Sequence, residues 1–218
     1  MPGNVAQFFT QHLAHSRRVL YRHFAGDRWH DVTVSEIAAE IARWQAAFRR
    51  EGIGRGERIA LCARNGVSWV ACDLAALGLG LVVVPVYVDD NIENAAWCIA
   101  HAEARLLVVE TAKLATAYAA LDDQHVLPPR VVLRHEVPPE CDATPLARFL
   151  PDTASEIEVA DLPEDALATI CFTSGTSGRP KGVMLTHGNI QANVRQCDAT
   201  GMGRRDDTFL SVLPLSHM

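Results

Sequence analysis

The spacing of apolar residues predicts the first long helix. Over residues 34–50, apolar side chains recur every three or four positions, and a run of glycines then ends the pattern. The apolar positions are Ile37, Ile41, Trp44 and Phe48. One side of the segment is therefore apolar and the other polar, which predicts an amphipathic helix that packs on a core.

Short apolar runs alternate with helical patterns in the next part of the chain. The predicted elements are strands at 58–62, 81–84 (ended by Pro85), 106–109 and 131–133, with helices between them at 68–79, 92–101 and 112–121. Strands that are apolar throughout are typical of parallel sheets with both faces covered by helices. The predicted fold class is α/β, with a largely parallel twisted sheet flanked by helices.

Prolines concentrate between residues 127 and 163. Seven of them, with interspersed acidic residues, leave little periodicity in this stretch. This divides the chain into an N-terminal α/β sub-domain at 1–127, a Pro-rich connector at 128–163 and the start of a second α/β sub-domain at 164–218. In the last part we predict a strand at 167–173, an apolar segment at 183–185, a helix from about His187 and a strand at 208–213.

The composition indicates a globular chain without a general affinity for nucleic acid. With 218 residues, 49% of them hydrophobic, the chain can bury a sizeable core. The formal charge of −6 gives no attraction to a phosphate backbone, so no nucleic acid partner is expected. Six cysteines without a CxxC pair predict reduced, buried thiols rather than a zinc site or a disulfide framework.

Neither a signal peptide nor a membrane span is predicted. Residues 1–11 lack a basic segment followed by an apolar run, and apolar stretches elsewhere end well before the length that crosses a bilayer. We therefore expect a soluble, cytoplasmic protein, and peripheral contact with a membrane stays open.

One loop concentrates groups that bind phosphate. Residues 173–182 contain four hydroxyl side chains, three glycines and two cations directly after a predicted strand. Glycines let backbone N–H groups turn towards one anion, hydroxyls add donors, and a lysine supplies a compact charge. The pattern predicts a cradle for a polyphosphate. The alternative is an ordinary surface turn, because Gly, Ser and Thr also dominate such turns.

This loop differs from the common P-loop. Gly178 precedes Lys181 by three residues, with Pro180 between them, so the GxxxxGK(S/T) spacing is absent. In the P-loop a helix follows directly and its N-terminus holds the phosphates, whereas a β-prone segment follows here. We expect this loop to bind phosphate through its own amides and hydroxyls.

The stretch 173–189, TSGTSGRPKGVMLTHGN, resembles the signature phosphate loop of the adenylate-forming enzymes, which include acyl-CoA synthetases, adenylation domains of peptide synthetases and luciferases. Residues 29–46 resemble the opening helix of that family, 54–61 its first core strand, and 65–85 the helix and strand that follow. The LPLSH motif at 213–217 and Tyr87 are similar to those of long-chain fatty acyl-CoA ligases. The resemblance implies the N-terminal part of the large domain of such a ligase.

The resemblance also implies a reaction in two steps. A fatty acid carboxylate attacks the α-phosphate of ATP to give an acyl-adenylate and pyrophosphate, and coenzyme A then displaces AMP. Mg²⁺ would accompany the nucleotide, and the loop would hold the β- and γ-phosphates. The residues that match the ATP-binding motif of the family are Thr173, Ser174, Gly175, Thr176, Ser177, Gly178 and Lys181.

Two further residues near these motifs have functional interpretations. Lys181 is expected to contact phosphate, the alternative being a solvated lysine. His217 falls on a motif that lies beside the acyl pocket and the adenylate in relatives, and a structural role is equally open. No catalytic residue and no metal ligand is assigned, because the main catalytic lysine and the acidic residues of the family lie beyond this sequence.

Other candidates are expected to be structural. His187 follows Thr186, a predicted helix N-cap, and should pack or cap. Trp69, Tyr87 and Cys171 are expected in the core rather than in the site.

Three functions remain open from the sequence. The first is the N-terminal piece of a fatty acyl-CoA ligase, expected to be inactive alone because regions that bind adenine and ribose in relatives come later in the chain. The second is a ligase for aryl, short-chain or carrier-bound acids, which a phosphate loop cannot distinguish. The third is a non-catalytic module that binds nucleotide or a partner.

Overall fold

A computed structural model describes residues 3–133, 137–173, 179–201, 203–204 and 207–216. Its centre is a seven-stranded sheet, and a separate two-stranded sheet lies near the N-terminus. A single turn of 3-10 helix covers Leu13–His15. The helices and strands, in chain order, are α1 (Gln7–Thr10), β1 (Val19–Ala25), β2 (Arg28–Thr33), α2 (Val34–Arg50), β3 (Arg58–Cys62), α3 (Val67–Leu79), β4 (Val82–Pro85), α4 (Ile92–His101), β5 (Ala104–Val109), α5 (Ala112–Ala119), β6 (Arg130–Val132), β7 (Thr144–Pro145), α6 (Leu146–Phe149), β8 (Leu167–Thr173), β9 (Lys181–Thr186) and α7 (His187–Ala199).

The large sheet is parallel except at one edge. Its strand order is β7-β6-β5-β3-β4-β8-β9, and only the pair β8–β9 is antiparallel. The chain passes from β3 to β4 on one side and then returns to place β5 on the other side of β3. This reversal of strand order is the place where α/β sheets bind ligands, at the carboxyl ends of the strands. The predicted α/β class and largely parallel sheet are confirmed.

Alternate residues of the central strands enter two separate cores. Ile59 and Leu61 pack in the core that α2 and α3 cover, whereas Ala60 and Cys62 pack in the core that α4 and α5 cover. The same alternation holds in β5 and β6, since successive side chains of a strand point to opposite faces. Helices therefore flank the sheet on both faces, which explains why these strands are apolar throughout.

The predictions that rest on buried, periodic segments agree with the structure. The helices predicted at 34–50 and 92–101 and the strands predicted at 58–62 and 167–173 have the bounds of α2, α4, β3 and β8. Pro85 was expected to end β4 from outside, but it is the last residue of the strand and is paired with Leu61. The start of α2 is a capping box, in which Thr33 Oγ1 accepts from the Glu36 N–H at 3.3 Å and Glu36 Oε2 accepts from the Thr33 N–H at 2.7 Å.

Three predictions need correction. Residues 29–33 are not part of an opening helix, because β2 pairs with β1 in a hairpin whose turn contains Gly26 at φ +67°. Besides the strand predicted at 131–133, which is β6, the stretch 128–163 includes β7 and α6, and both strands join the large sheet. The predicted strand at 208–213 is absent, and no described strand pairs with it. Its apolar side chains Phe209, Leu210, Val212 and Leu213 are exposed.

The proposed division into sub-domains stays a prediction. Strands from all three predicted segments lie in one sheet, since β4 of the first pairs with β8 of the third. The thiols are free, but the expectation that all are buried is wrong for Cys141, which is half-buried, and for Cys197, which is exposed. Among the described helices, none is both long and apolar enough to cross a bilayer.

Candidate functional site

The predicted phosphate loop connects two antiparallel strands at the edge of the sheet. β8 ends at Thr173, β9 begins at Lys181, and these two residues face each other across the hairpin. Since β8 is parallel to β4, the loop leaves the sheet at the edge where β3, β4 and β5 also end. The β-prone segment predicted after the loop is therefore β9, and phosphate binding at a helix N-terminus does not apply to this loop.

Two of the predicted ATP-binding residues form the stem of this loop. Thr173 Oγ1 donates to the Lys181 carbonyl at 3.5 Å, and both residues are exposed. The other five, Ser174, Gly175, Thr176, Ser177 and Gly178, lie outside the described residues. Their phosphate contacts, like that of Lys181, stay predictions.

A cluster of aromatic side chains lies beside the stem. The guanidinium carbon of Arg179 is 5.5 Å from the centre of the Trp97 indole, and Trp97 stacks on His101 at 4.5 Å with an interplanar angle of 13°. Phe172 presents its ring edgewise to both, at 6.2 Å and 6.4 Å. Sequence reasoning missed this cluster. The signal that could have found it was the spacing of Trp97 and His101, four residues apart on a predicted helix.

Charged residues connect the loops that follow three neighbouring strands. Arg64, after β3, contacts Asp89, after β4, at 2.8 Å, and its Nε lies 3.8 Å from Glu110, after β5. Glu110 is buried, while Arg64 and Asp89 are largely exposed. These ion pairs hold the three loops together at the carboxyl edge of the sheet, and they too were not predicted.

The segment before His217 lies at the same edge. Asn65 Nδ2 donates to the Leu213 carbonyl at 2.7 Å, and Asn65 Oδ1 accepts from the Leu215 N–H at 2.8 Å. Leu215 is partly buried and packs against the core that α2 and α3 cover. The LPLSH motif is thus attached to the loop after β3, although His217 itself lies outside the described residues.

Comparison with known proteins identifies the family of this chain. The profile of the family described as AMP-binding enzyme matches residues 8–218. The chain belongs to the AMP-binding enzyme family. The resemblance inferred from the loop and its flanks is therefore confirmed.

Relatives of this AMP-binding enzyme chain include ligases for different acids. The long-chain-fatty-acid–CoA ligase FadD15 of Mycobacterium bovis is 31% identical over 205 residues, which cover 92% of this chain and 34% of that protein. The crotonobetaine/carnitine–CoA ligase of a Proteus species is 30% identical over 190 residues, 84% of this chain and 36% of that protein. The chain spans about a third of the length of the curated relatives it matches.

Solved structures of the family share the fold. The crystal structure of ATP-bound MatB from Rhodopseudomonas palustris matches with a TM-score of 0.79 and 24% identity, over 100% of this chain and 41% of that one. At this identity the comparison establishes the α/β architecture of the AMP-binding enzyme chain, not its ligand.

Three of the four residues expected to be structural are buried in this member of the family. His187 is fully buried, its Nδ1 accepts from the Val5 N–H at 3.1 Å, and desolvation lowers its pKa to about 4. The imidazole is therefore uncharged at neutral pH, and the side chain packs in the interior, as predicted. Trp69 and Cys171 are also buried, whereas Tyr87 is only partly so.

The described part of the AMP-binding enzyme chain supplies no metal-binding cluster. It contains no group of three or more His, Cys, Asp or Glu side chains placed to hold an ion. Mg²⁺ needs carboxylate or phosphate oxygens with water, so these residues do not fit a dedicated protein site. We assign no Mg²⁺ ligand within them.

Proposed function

We propose that the protein is an AMP-forming acyl-CoA ligase that activates a long-chain fatty acid. The observation that supports this most directly is a TSGTSGRPKG loop between β8 and β9, at the carboxyl edge of the sheet, in a chain that belongs to the AMP-binding enzyme family. Such an edge is the usual ligand site of an α/β sheet.

In the proposed first step, a carboxylate oxygen of the acid attacks the α-phosphorus of ATP. The bond from that phosphorus to the β-bridging oxygen breaks, and pyrophosphate leaves as acyl-AMP forms. Residues 173–178, with the ammonium group of Lys181, hold the β- and γ-phosphates and offset the charge that develops on them. Mg²⁺ bound to the nucleotide would add positive charge there.

In the proposed second step, the thiol of coenzyme A loses its proton to solvent and its sulfur attacks the acyl carbon. The bond between that carbon and the phosphate oxygen of the mixed anhydride breaks, and AMP leaves with its electrons. His217 would lie beside the acyl group and the adenylate. The partners are thus small molecules, namely the acid, ATP and coenzyme A, and the proposed location is the cytoplasm.

The acid is the least determined part of the proposal. Similarity to FadD15, at 31% identity, favours a long-chain fatty acid. The crotonobetaine/carnitine–CoA ligase is nearly as similar at 30%, which supports a short-chain acid as the second candidate. A ligase for aryl or carrier-bound acids and a non-catalytic nucleotide-binding module are the remaining candidates, and the assay below distinguishes them.

The test is acid-dependent exchange of pyrophosphate into ATP. We would assay the 218-residue chain and the product of the complete reading frame with palmitate, crotonobetaine and benzoate. We expect exchange with palmitate in the longer protein and little in the 218-residue chain alone. Exchange with another acid only would change the substrate, and no exchange with any acid would favour the binding module.

Substitutions in the loop link the exchange to the phosphate cradle. Thr176→Ala and Lys181→Ala should each lower the exchange rate at saturating acid by roughly 10- to 100-fold, because each removes a group that stabilises the leaving pyrophosphate. Lys113→Ala, which changes an exposed lysine of α5, serves as the control. Unchanged rates and ATP affinity in both loop variants would remove the loop from the mechanism.

A further inference from the structure

Arg179 is exposed, and its guanidinium group contacts an aromatic ring. Its guanidinium carbon lies 5.5 Å from the centre of the Trp97 indole, within the range of a cation–π interaction. The arginine comes from the end of the loop, and the tryptophan comes from α4.

Trp97 is itself fixed on α4. It stacks on His101 one turn later, at 4.5 Å, and Phe172 contacts both rings edgewise. Asn91 caps the start of α4, because its Oδ1 accepts from the N–H groups of Glu93 and Asn94 at 3.0 Å each. The inner face of the helix is buried through Ala95, Ala96, Cys98 and Ile99. The position of the indole is therefore fixed by a capped helix with a buried face.

Phe172 can reach this cluster because a glycine faces it on β9. Phe172 and Gly182 are partners across the hairpin. A Cβ atom at residue 182 would lie 3.3 Å from the Phe172 ring and 2.9 Å from Ile170 Cγ2. A side chain there would force Ile170 to shift and would press on the Phe172 ring, so the glycine of the Pro-Lys-Gly triplet leaves room for the aromatic cluster.

We propose that Trp97, His101 and Phe172 form an aromatic clamp that positions the phosphate loop through Arg179. Phe172 precedes the loop and Arg179 ends it, and both contact the indole of Trp97. The clamp thus attaches both ends of the loop to α4 and sets the position of Lys181, two residues after Arg179. Arg179 acts here as a positioning residue, through its contact with Trp97. The functional part of this inference rests on the proposed function.

Trypsin cleavage after Lys181 tests the clamp without any activity. The bond after Arg179 precedes Pro180 and resists trypsin, so cleavage in this region reports on the bond between Lys181 and Gly182. In the 218-residue chain, Arg179→Gln and Trp97→Ala should each speed this cleavage by about two- to fivefold, the factor that corresponds to one exposed cation–π contact. Trp97→Phe keeps an aromatic face and should stay close to the original rate.

Matched controls separate this effect from general unfolding. Trp29→Ala and Arg28→Gln change exposed residues of the β1–β2 hairpin and should leave cleavage after Lys181 unchanged. Cleavage after Lys113 in α5 reports on global opening and should be equal in all variants. Wild-type cleavage rates in Arg179→Gln would overturn the clamp, as would equal acceleration after Lys113.

Kinetics in the complete protein test the link to function. Trp97→Ala and Arg179→Gln should each raise the KM for ATP by about two- to fivefold with little change in the KM for the acid. The double variant should be no worse than Trp97→Ala alone, because that substitution already removes the contact with Arg179. If the two substitutions raised the KM for ATP independently in the double variant, the proposal would be overturned. If the wild-type enzyme shows no exchange, the proposed function fails, and proteolysis still decides the clamp.

Discussion

At the scale of single residues, Asp73 has an unusual environment for a carboxyl group. It lies on α3, desolvation raises its pKa to about 7, and its Oδ1 has no hydrogen-bond partner within the described residues. In the unfolded chain the carboxyl titrates near its ordinary pKa of 3.8. The unfolded state therefore releases its proton first, and the folded state loses relative stability as pH rises from about 4 to 7.

Replacing Asp73 by asparagine should remove this pH dependence. At pH 8, Asp73→Asn should raise the free energy of unfolding by more than about 1 kcal/mol, because no carboxylate has to be buried. At pH 3 the carboxyl is protonated in the folded state and largely protonated in the unfolded state, so the difference should fall below about 0.5 kcal/mol. Urea unfolding at the two pH values measures this, with exposed Asp123→Asn as the control. An equal effect at both pH values would contradict the assignment.

At the scale of elements, the junction of β9 and α7 determines how the strand after the loop is held. Thr186 ends the strand and caps the helix: its Oγ1 accepts from the Asn189 N–H at 3.1 Å, and Asn189 Oδ1 accepts from the Thr186 N–H at 3.0 Å. The next N–H groups, of His187 and Gly188, donate to the carbonyls of Ala166 and Glu164. The helix start is thus tied to the segment before β8.

Loss of the Thr186 hydroxyl should weaken this junction. Thr186→Ala should lower the free energy of unfolding by about 1 kcal/mol, the usual effect of removing an N-cap. Thr186→Ser keeps the hydroxyl that accepts this hydrogen bond. Its free energy of unfolding should stay within about 0.3 kcal/mol of that of the original chain. Thermal and urea unfolding of the three chains measure the difference. Equal losses for alanine and serine would show that the methyl group, not the cap, is responsible.

At the scale of the whole molecule, polar side chains join distant parts of the chain. The buried Asn4 amide donates to the carbonyl of Leu77 at 2.9 Å and to that of Ala160 at 3.2 Å. Asn65 joins the loop after β3 to Leu213 and Leu215, about 150 positions later. These bonds hold the two termini of the described chain against the central sheet.

The Asn65 contacts should control the C-terminal segment. Asn65→Ala removes the acceptor of the Leu215 N–H and the donor to the Leu213 carbonyl, so amide hydrogen exchange at residues 211–216 should become faster. Asn94→Ala, on an exposed position of α4, should not have this effect. Hydrogen–deuterium exchange with mass spectrometry measures both. Unchanged exchange in Asn65→Ala would mean that Leu215 packing alone holds the segment.

The sequence alone determined the elements with a clear apolar pattern and the chemistry of the loop. β3, β8, α2 and α4 were predicted with their observed bounds, because burial imposes an apolar pattern that a single chain displays. The TSGTSGRPKG loop identified the family because its glycines, hydroxyls and lysine recur at one spacing. The buried packing of His187, after its cap Thr186, was also foreseen from local pattern.

Only the tertiary structure decided features that depend on partners far away in the chain. The outer half of the β1–β2 hairpin is exposed on both faces, so its strands carry no apolar alternation. Residues 208–213 have β propensity but no described strand beside them, and a strand needs a neighbour to bond with its backbone. The clamp joins Trp97 to Arg179 across 82 positions, which no local pattern encodes. Strand order and the meeting of these rings arise from packing, because contact between distant residues is a property of the folded chain.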